Sequence, residues 1–205
     1  MGLLVAGGRV SVSGPRLAKV ATEVLSPAVV VLLLPLAVAW QATGCRVGPT
    51  LLWGIVVALF SSILPMVFII RGARQGRWDG HHVRDREHRA VPLLVGLAST
   101  GVGLAILLVG DAPRAVVALT IAMAVTLATC IAVTVWWKVS LHAAVAGGAV
   151  VMVALLYGPW ALLLLVPLFI VCWSRVALRD HTVAQVVVGA LLGPAVGGAV
   201  FLAIT

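Results

Sequence analysis

Charge is the scarcest property of this chain: 10% of its 205 residues are Asp, Glu, Lys or Arg, against 62% hydrophobic. So little polar surface cannot wrap a soluble globule of this size, and a mean hydropathy of +1.19 points to lipid as the solvent. Acidic residues number only six and are scattered, which argues against a magnesium-dependent mechanism needing clustered Asp. The three cysteines stand apart, Cys130 and Cys172 within apolar runs and Cys45 at the end of one, so no disulfide framework or thiolate metal site follows. The period-two alternation of a transmembrane barrel is absent as well. The opening stretch, MGLLVAGGRVSVSGPR, has too short an apolar run and too late a positive charge for a cleavable signal peptide; it is read as part of the mature chain.

What the sequence does contain is a series of apolar runs near the roughly 20 residues needed to cross hydrocarbon. Open backbone finds no hydrogen bonds in lipid, so these runs are expected as helices. They fall near Val24 to Ala42, Pro49 to Ile70, Val91 to Gly110, Ala115 to Trp137, Leu141 to Tyr157, Trp160 to Trp173 and Thr182 to Ile204. The expected fold is all-α, one polytopic transmembrane bundle of six to seven spans occupying residues 1–205. Residues 1–20 form an amino-terminal cytoplasmic or interfacial segment, and 71–92 a charged loop. Gly158-Pro159 joins two of the shorter runs, giving either a full hairpin or a shallow re-entrant one.

Twelve of the 14 basic residues then fall on one face, leaving Arg46 and Arg114 on the other. The positive-inside rule puts the amino terminus and the 71–92 loop in the cytoplasm of a cell (inner) membrane and the carboxyl terminus outside. Part of that basic excess is expected to meet lipid headgroups, so membrane lipids and not nucleic acid are the expected partners. Most of the seven tryptophans lie close to run ends, as interfacial anchors do. Gly189, Gly193 and Gly197 recur every four residues in the last run, with Gly147 and Gly148 in the fifth, a pattern that lets helix backbones approach closely.

Three polar clusters lie at run ends on the basic face: Trp78 to Pro92, Lys138 to His142, and Ser174 to Gln185. Together they hold all five histidines, His81, His82, His88, His142 and His181, with Arg84, Arg86, Arg89, Arg175 and Arg179. Guanidinium forks match phosphate oxygens, and helix amino termini add backbone N–H groups. Two histidines beside such a site suit attack on phosphorus and protonation of the leaving oxygen.

Ser174-Arg175-Val176-Ala177-Leu178-Arg179-Asp180-His181 reproduces the S-R-x5-H core of the type 2 phosphatidic acid phosphatase superfamily, which includes the vanadium haloperoxidases. Val139-Ser140-Leu141-His142 resembles the P-S-G-H motif of that family, with Ser and His kept. Across His82 to Gly193, the resemblance implies a helical core of that kind and metal- and cofactor-independent hydrolysis of a phosphate or diphosphate ester on a lipid. His181 would be the nucleophile, His142 the general acid, and Arg175, Ser140 and Arg89 phosphate ligands. Two departures accompany it. The Asp that orients the nucleophile is replaced by Gln185, which hydrogen-bonds an imidazole but cannot balance an imidazolium. In the first motif, K-x6-R-P, His82 stands at the Lys position and Ala90 follows Arg89; Arg86 or Arg84 fits in other registers.

Simpler readings stand beside these. Thr182 and Gln185 fit a helix capping box, and Arg71, Arg74 and Arg77 fit a loop that binds lipid headgroups. A family member that binds lipid phosphates without hydrolysis is one alternative, and non-hydrolytic prenyl diphosphate chemistry is another. Asp79-Gly80-His81-His82-Val83-Arg84 is similar to the opening of the CDP-alcohol phosphotransferase motif, but the downstream Gly and paired Asp are missing. The Asp-rich motifs of aromatic prenyltransferases are also absent, and no matched pair of broken helices marks a transporter.

Overall fold

The computed structural model describes residues 13–76 and 86–205, with side chains described for 16–76 and 91–205. Among the described residues every regular element is helical: α1 (Ser13–Val24), α2 (Pro27–Ala42), α3 (Val47–Ala58), α4 (Leu64–Arg74), α5 (Arg86–Val109), α6 (Arg114–Trp136), α7 (Leu141–Tyr157), α8 (Leu165–Ala177), α9 (Val183–Leu192) and α10 (Ala199–Ile204). Six stretches are long and apolar enough to cross a membrane: Arg16–Ala42, Val47–Arg74, Val91–Val109, Arg114–Trp136, Pro159–Ala177 and Val183–Ile204. The chain is a multi-pass membrane protein whose outward-facing side chains are largely apolar.

Helix breaks follow from local chemistry. Between α1 and α2 the Ser26 hydroxyl accepts from the Val29 N–H at 3.4 Å, and Pro27 opens the new helix where a missing N–H costs nothing. The α2–α3 turn passes through left-handed backbone at Gly44 and Cys45 (φ 64° and 60°). It is tied by the Arg46 Nε donating to the Thr43 carbonyl at 3.0 Å. α3 runs into α4 through a π turn, Leu59–Ile63, just ahead of Pro65, and α9 runs into α10 through a second, Gly193–Gly198, which contains Pro194. Proline lacks the N–H that a regular turn would bond back, and a wider turn absorbs the mismatch.

α7 lies at the centre, packed against α2, α8, α9 and the second π turn, while α6 packs against α2, α5 and α10. Gly158, at φ 81°, ends α7, and the short 3₁₀ segment Pro159–Leu164 starts the return into α8. The Tyr157 hydroxyl donates to the Ala37 carbonyl at 2.6 Å, close to the far end of α2. The α7–α8 pair is a helical hairpin in which α7, at 17 residues, is shorter than the six stretches above.

The structure moves two expected boundaries. The first span starts at Arg16 rather than Val24, because α1 continues with Leu17, Val20 and Val24 exposed on one stripe while Ala18 and Thr22 are buried. The segment expected as a loop over 71–92 is helical at both ends, α4 reaching Arg74 and α5 beginning at Arg86. Arginine is a good helix former and its long stem reaches the interface from inside a span, so a run of Arg does not end a helix.

Candidate functional site

The two segments that carry the histidines meet because glycine allows it. A Cβ on Gly147 would lie 2.5 Å from the Ala190 carbonyl oxygen, and one on Gly189 would lie 2.5 Å from that of Ser140. One on Gly193 would overlap the Ala144 carbonyl. α7 and the α9–α10 rod thus pack backbone to backbone, as the glycine spacing leads one to expect. A hydrogen bond locks the register: the Ser140 N–H donates to the Gln185 carbonyl at 3.2 Å. His142 follows Ser140 by one turn's start, and His181 precedes Gln185 by one turn.

At the start of α9 a single side-chain oxygen has two tasks. Gln185 Oε1 accepts from the Thr182 N–H at 3.2 Å, completing a capping box in which the Gln185 N–H donates to Thr182 Oγ1 at 3.3 Å. The same Oε1 lies 3.2 Å from His181 Nδ1. A backbone N–H can only donate, so the amide atom facing it is the oxygen, and Nδ1 must then carry the ring proton. In its neutral form the His181 imidazole is therefore the tautomer whose lone pair is on Nε2. His181 itself is 6% exposed.

Arg175, in the last turn of α8, is 2% exposed and forms an ion pair from Nη2 to Asp180 Oδ2 at 2.9 Å. The chain doubles back to make this contact. Arg179 takes a left-handed conformation (φ 55°), and the N–H groups of Asp180 and His181 both donate to the Arg175 carbonyl, at 3.1 and 3.3 Å. Lys138 Nζ donates to the Asp180 carbonyl at 2.8 Å, tying the segment before α7 to this loop. On the other side of α8, Ser174 donates to the Val171 carbonyl at 2.7 Å, so the hydroxyl of Thr22 on α1 donates to Ser174 at 2.9 Å.

Arg175 and His181 border one cavity of about 730 Å³. Its polar end is lined by Glu23, His142, Arg175 and His181; from there it runs between α2, α4, α5, α6 and α7 along walls that are mainly apolar. A volume in the upper part of the roughly 300–1,000 Å³ range of ligand sites, with a few polar groups at one end, suits an amphiphile.

Of the residues expected from sequence, His142, Arg175 and His181 line this cavity together and Gln185 holds His181. Ser140 does not line it: its fully buried hydroxyl caps α7, accepting from the Ala143 N–H at 3.4 Å. Arg89 lies in the first turn of α5, whose Pro92, Leu93 and Gly96 line the cavity, but its side chain lies outside the described residues. The same holds for Arg86 and His88, while His81, His82 and Arg84 lie outside them entirely. Among the described residues no three His, Cys, Asp or Glu side chains come together as a metal-ligand set. Sequence reasoning missed Glu23 and the partnership of Asp180 with Arg175. The first carried no motif, and the second depends on a left-handed turn that spacing alone does not reveal. Comparison of the chain with protein-family models, with curated proteins and with solved structures finds no match.

Proposed function

We propose that this chain is an integral-membrane lipid phosphatase that hydrolyses a phosphate or diphosphate ester of an amphiphile through a phosphohistidine, without a metal ion. The observation that carries this reading is the convergence of His142, Arg175 and His181 on the polar end of one largely apolar cavity. His142 lies 33 residues before Arg175 along the chain and Arg175 six before His181, and the motifs containing them resemble those of the type 2 phosphatidic acid phosphatase superfamily. The tautomer of His181 supports the same reading, since the amide of Gln185 leaves the Nε2 lone pair to act as nucleophile.

In the proposed reaction His181 Nε2 attacks phosphorus. The N–P bond forms as the P–O bond to the lipid breaks, and His142 gives its proton to the departing oxygen. Water, deprotonated by His142, then attacks the phosphohistidine and releases inorganic phosphate, returning both imidazoles to their starting states. Arg175 binds phosphate oxygens, Arg89 joins it from α5, and Ser140 contributes through the α7 terminus that its hydroxyl caps. By the positive-inside rule the site opens on the cytoplasmic face of the cell membrane, with the carboxyl terminus outside. Phosphatidic-acid-type lipids, prenyl phosphates and prenyl diphosphates all suit this arrangement.

The test is release of inorganic phosphate from these lipids in detergent with a chelator present, for wild type, His181→Ala and His142→Ala. Both substitutions are expected to abolish release. Equal rates in all three proteins overturn the proposal.

Two observations favour a second reading, in which the site binds lipid phosphate without turnover: the Arg175–Asp180 ion pair, and an amide where a carboxylate would stabilise imidazolium. Gln185→Asp separates the two. Release that appears only in that variant favours the binding protein, whereas release by the wild type removes that reading.

A further inference from the structure

The cavity ends against packed side chains. Leu34, Leu119, Ala122 and Met152 line its deep end, and the same four belong to a tightly buried apolar cluster that continues beyond them as Val38, Ala118 and Phe201. Along α7 the lining runs from Leu141 to Met152, and along α6 from Cys130 to Leu119. Each is eleven residues, or about 16 Å at 1.5 Å per residue. The cavity therefore stops roughly halfway through a hydrocarbon core of about 30 Å. Part of its wall is the glycine seam of Gly148 and Gly193, where backbone faces backbone.

We infer that this closed end acts as a length gauge for the hydrocarbon tail of the phosphorylated amphiphile, a role that rests on reading the His142, Arg175 and His181 end as the phosphate end. An extended chain with C–C bonds of about 1.5 Å advances about 1.25 Å per carbon, so the cavity holds roughly thirteen carbons in line. Moving a methylene from bilayer into the cavity exchanges one apolar surrounding for another and discriminates little. Discrimination begins where the tail meets the close-packed floor, because interiors at crystal-like density do not yield a methylene's space freely.

The experiment is competition binding to the purified full chain in one detergent at equal ligand mole fraction, using n-alkyl phosphonates of increasing tail length. Their C–P bond is not hydrolysed, so binding is read apart from turnover. Affinity is expected to change little up to about thirteen carbons and to fall about tenfold within the next few, in line with the cost of overpacking a core. Ala122→Leu, which raises the floor, is expected to move the break to tails shorter by roughly three carbons, the number that Leu adds to Ala. Met152→Ala is expected to move it the other way, and reports even if the first variant does not fold. No break, or a break at one length in every folded variant, overturns the inference. An n-alkanol series run alongside separates it from the functional reading. A break without preference for phosphonate removes the phosphate end and keeps the gauge; preference without a break does the reverse.

Discussion

Gly189→Ala tests whether backbone contact between α7 and α9 is what assembles the site. The added Cβ would stand 2.5 Å from the Ser140 carbonyl oxygen and 3.3 Å from the Ala143 Cβ, with nothing flexible on either side. Reaching an acceptable separation of 3.0 to 3.4 Å requires the two backbones to part by about 0.5 to 0.9 Å. That movement stretches the Ser140 N–H to Gln185 carbonyl bond, already 3.2 Å, and carries the His181 loop away from His142. Overpacking of this kind costs about 1 to 3 kcal/mol. A misplacement near 1 Å lowers a positioned reaction by on the order of a hundredfold. The assay is phosphate release at saturating lipid beside a melting curve in detergent, with Gly101→Ala as control because its new Cβ meets nothing within 4 Å. Gly189→Ala is expected to lose most activity and several degrees of melting temperature, and Gly101→Ala neither. Activity within twofold of wild type, with an unchanged melting curve, refutes the claim that this contact sets the geometry.

Arg175→Ala removes the guanidinium that pairs with the nearly buried Asp180 carboxylate at 2.9 Å and is expected to destabilise by about 3 kcal/mol. Adding Asp180→Ala should recover part of the melting temperature but no activity; a double variant as unstable as the single one contradicts the pairing. Gln185→Ala removes both the cap and the hold on His181, so a stability loss of about 1 kcal/mol should accompany a larger fall in kcat than in lipid affinity. Gln185→Glu, which restores an acceptor in place, should recover more kcat than Gln185→Ala. Cys45 is exposed at the α2–α3 turn, on the face opposite the histidines, whereas Cys130 is buried. A membrane-impermeant maleimide should label Cys45 on intact cells, and labelling only after permeabilisation reverses the proposed orientation.

The bundle was legible because a span advertises itself by length and apolarity, and both survive averaging over a window. Elements that break that average were not. α1 adds Arg16 and Lys19 to the first stretch, and their charges lower the local hydropathy although these residues are helical. The two π turns leave no compositional trace apart from Pro65, just after the first, and Pro194 in the second. At the site, S-R-x5-H and the serine and histidine of the second motif identified three residues that line one cavity, since an even number of crossings returned their clusters to one face. Ser140 was read for its hydroxyl as a ligand, yet Ser before an apolar run is equally a cap signal, and capping is what its hydroxyl does. Asp180 lies five residues after Arg175, off the three- or four-residue spacing of helical ion pairs, and only the left-handed Arg179 between them closes the gap.

The site therefore retains a buried carboxylate but applies it to the guanidinium rather than to the imidazole. In the proposed reaction a carboxylate on Nδ1 would stabilise positive charge on His181; the neutral Gln185 holds Nδ1 without supplying that stabilisation. Asp180 meanwhile offsets the charge of Arg175 at the point where an anion would bind. Both effects would act against the charged states of the proposed phosphoryl transfer, one at His181 and one at the phosphate. Slow turnover with orderly binding is the expected result. Because the effects arise at separate residues, Gln185→Asp should raise kcat, whereas Asp180→Asn, which keeps an acceptor beside Arg175 but removes the charge, should act mainly on affinity for the lipid phosphate.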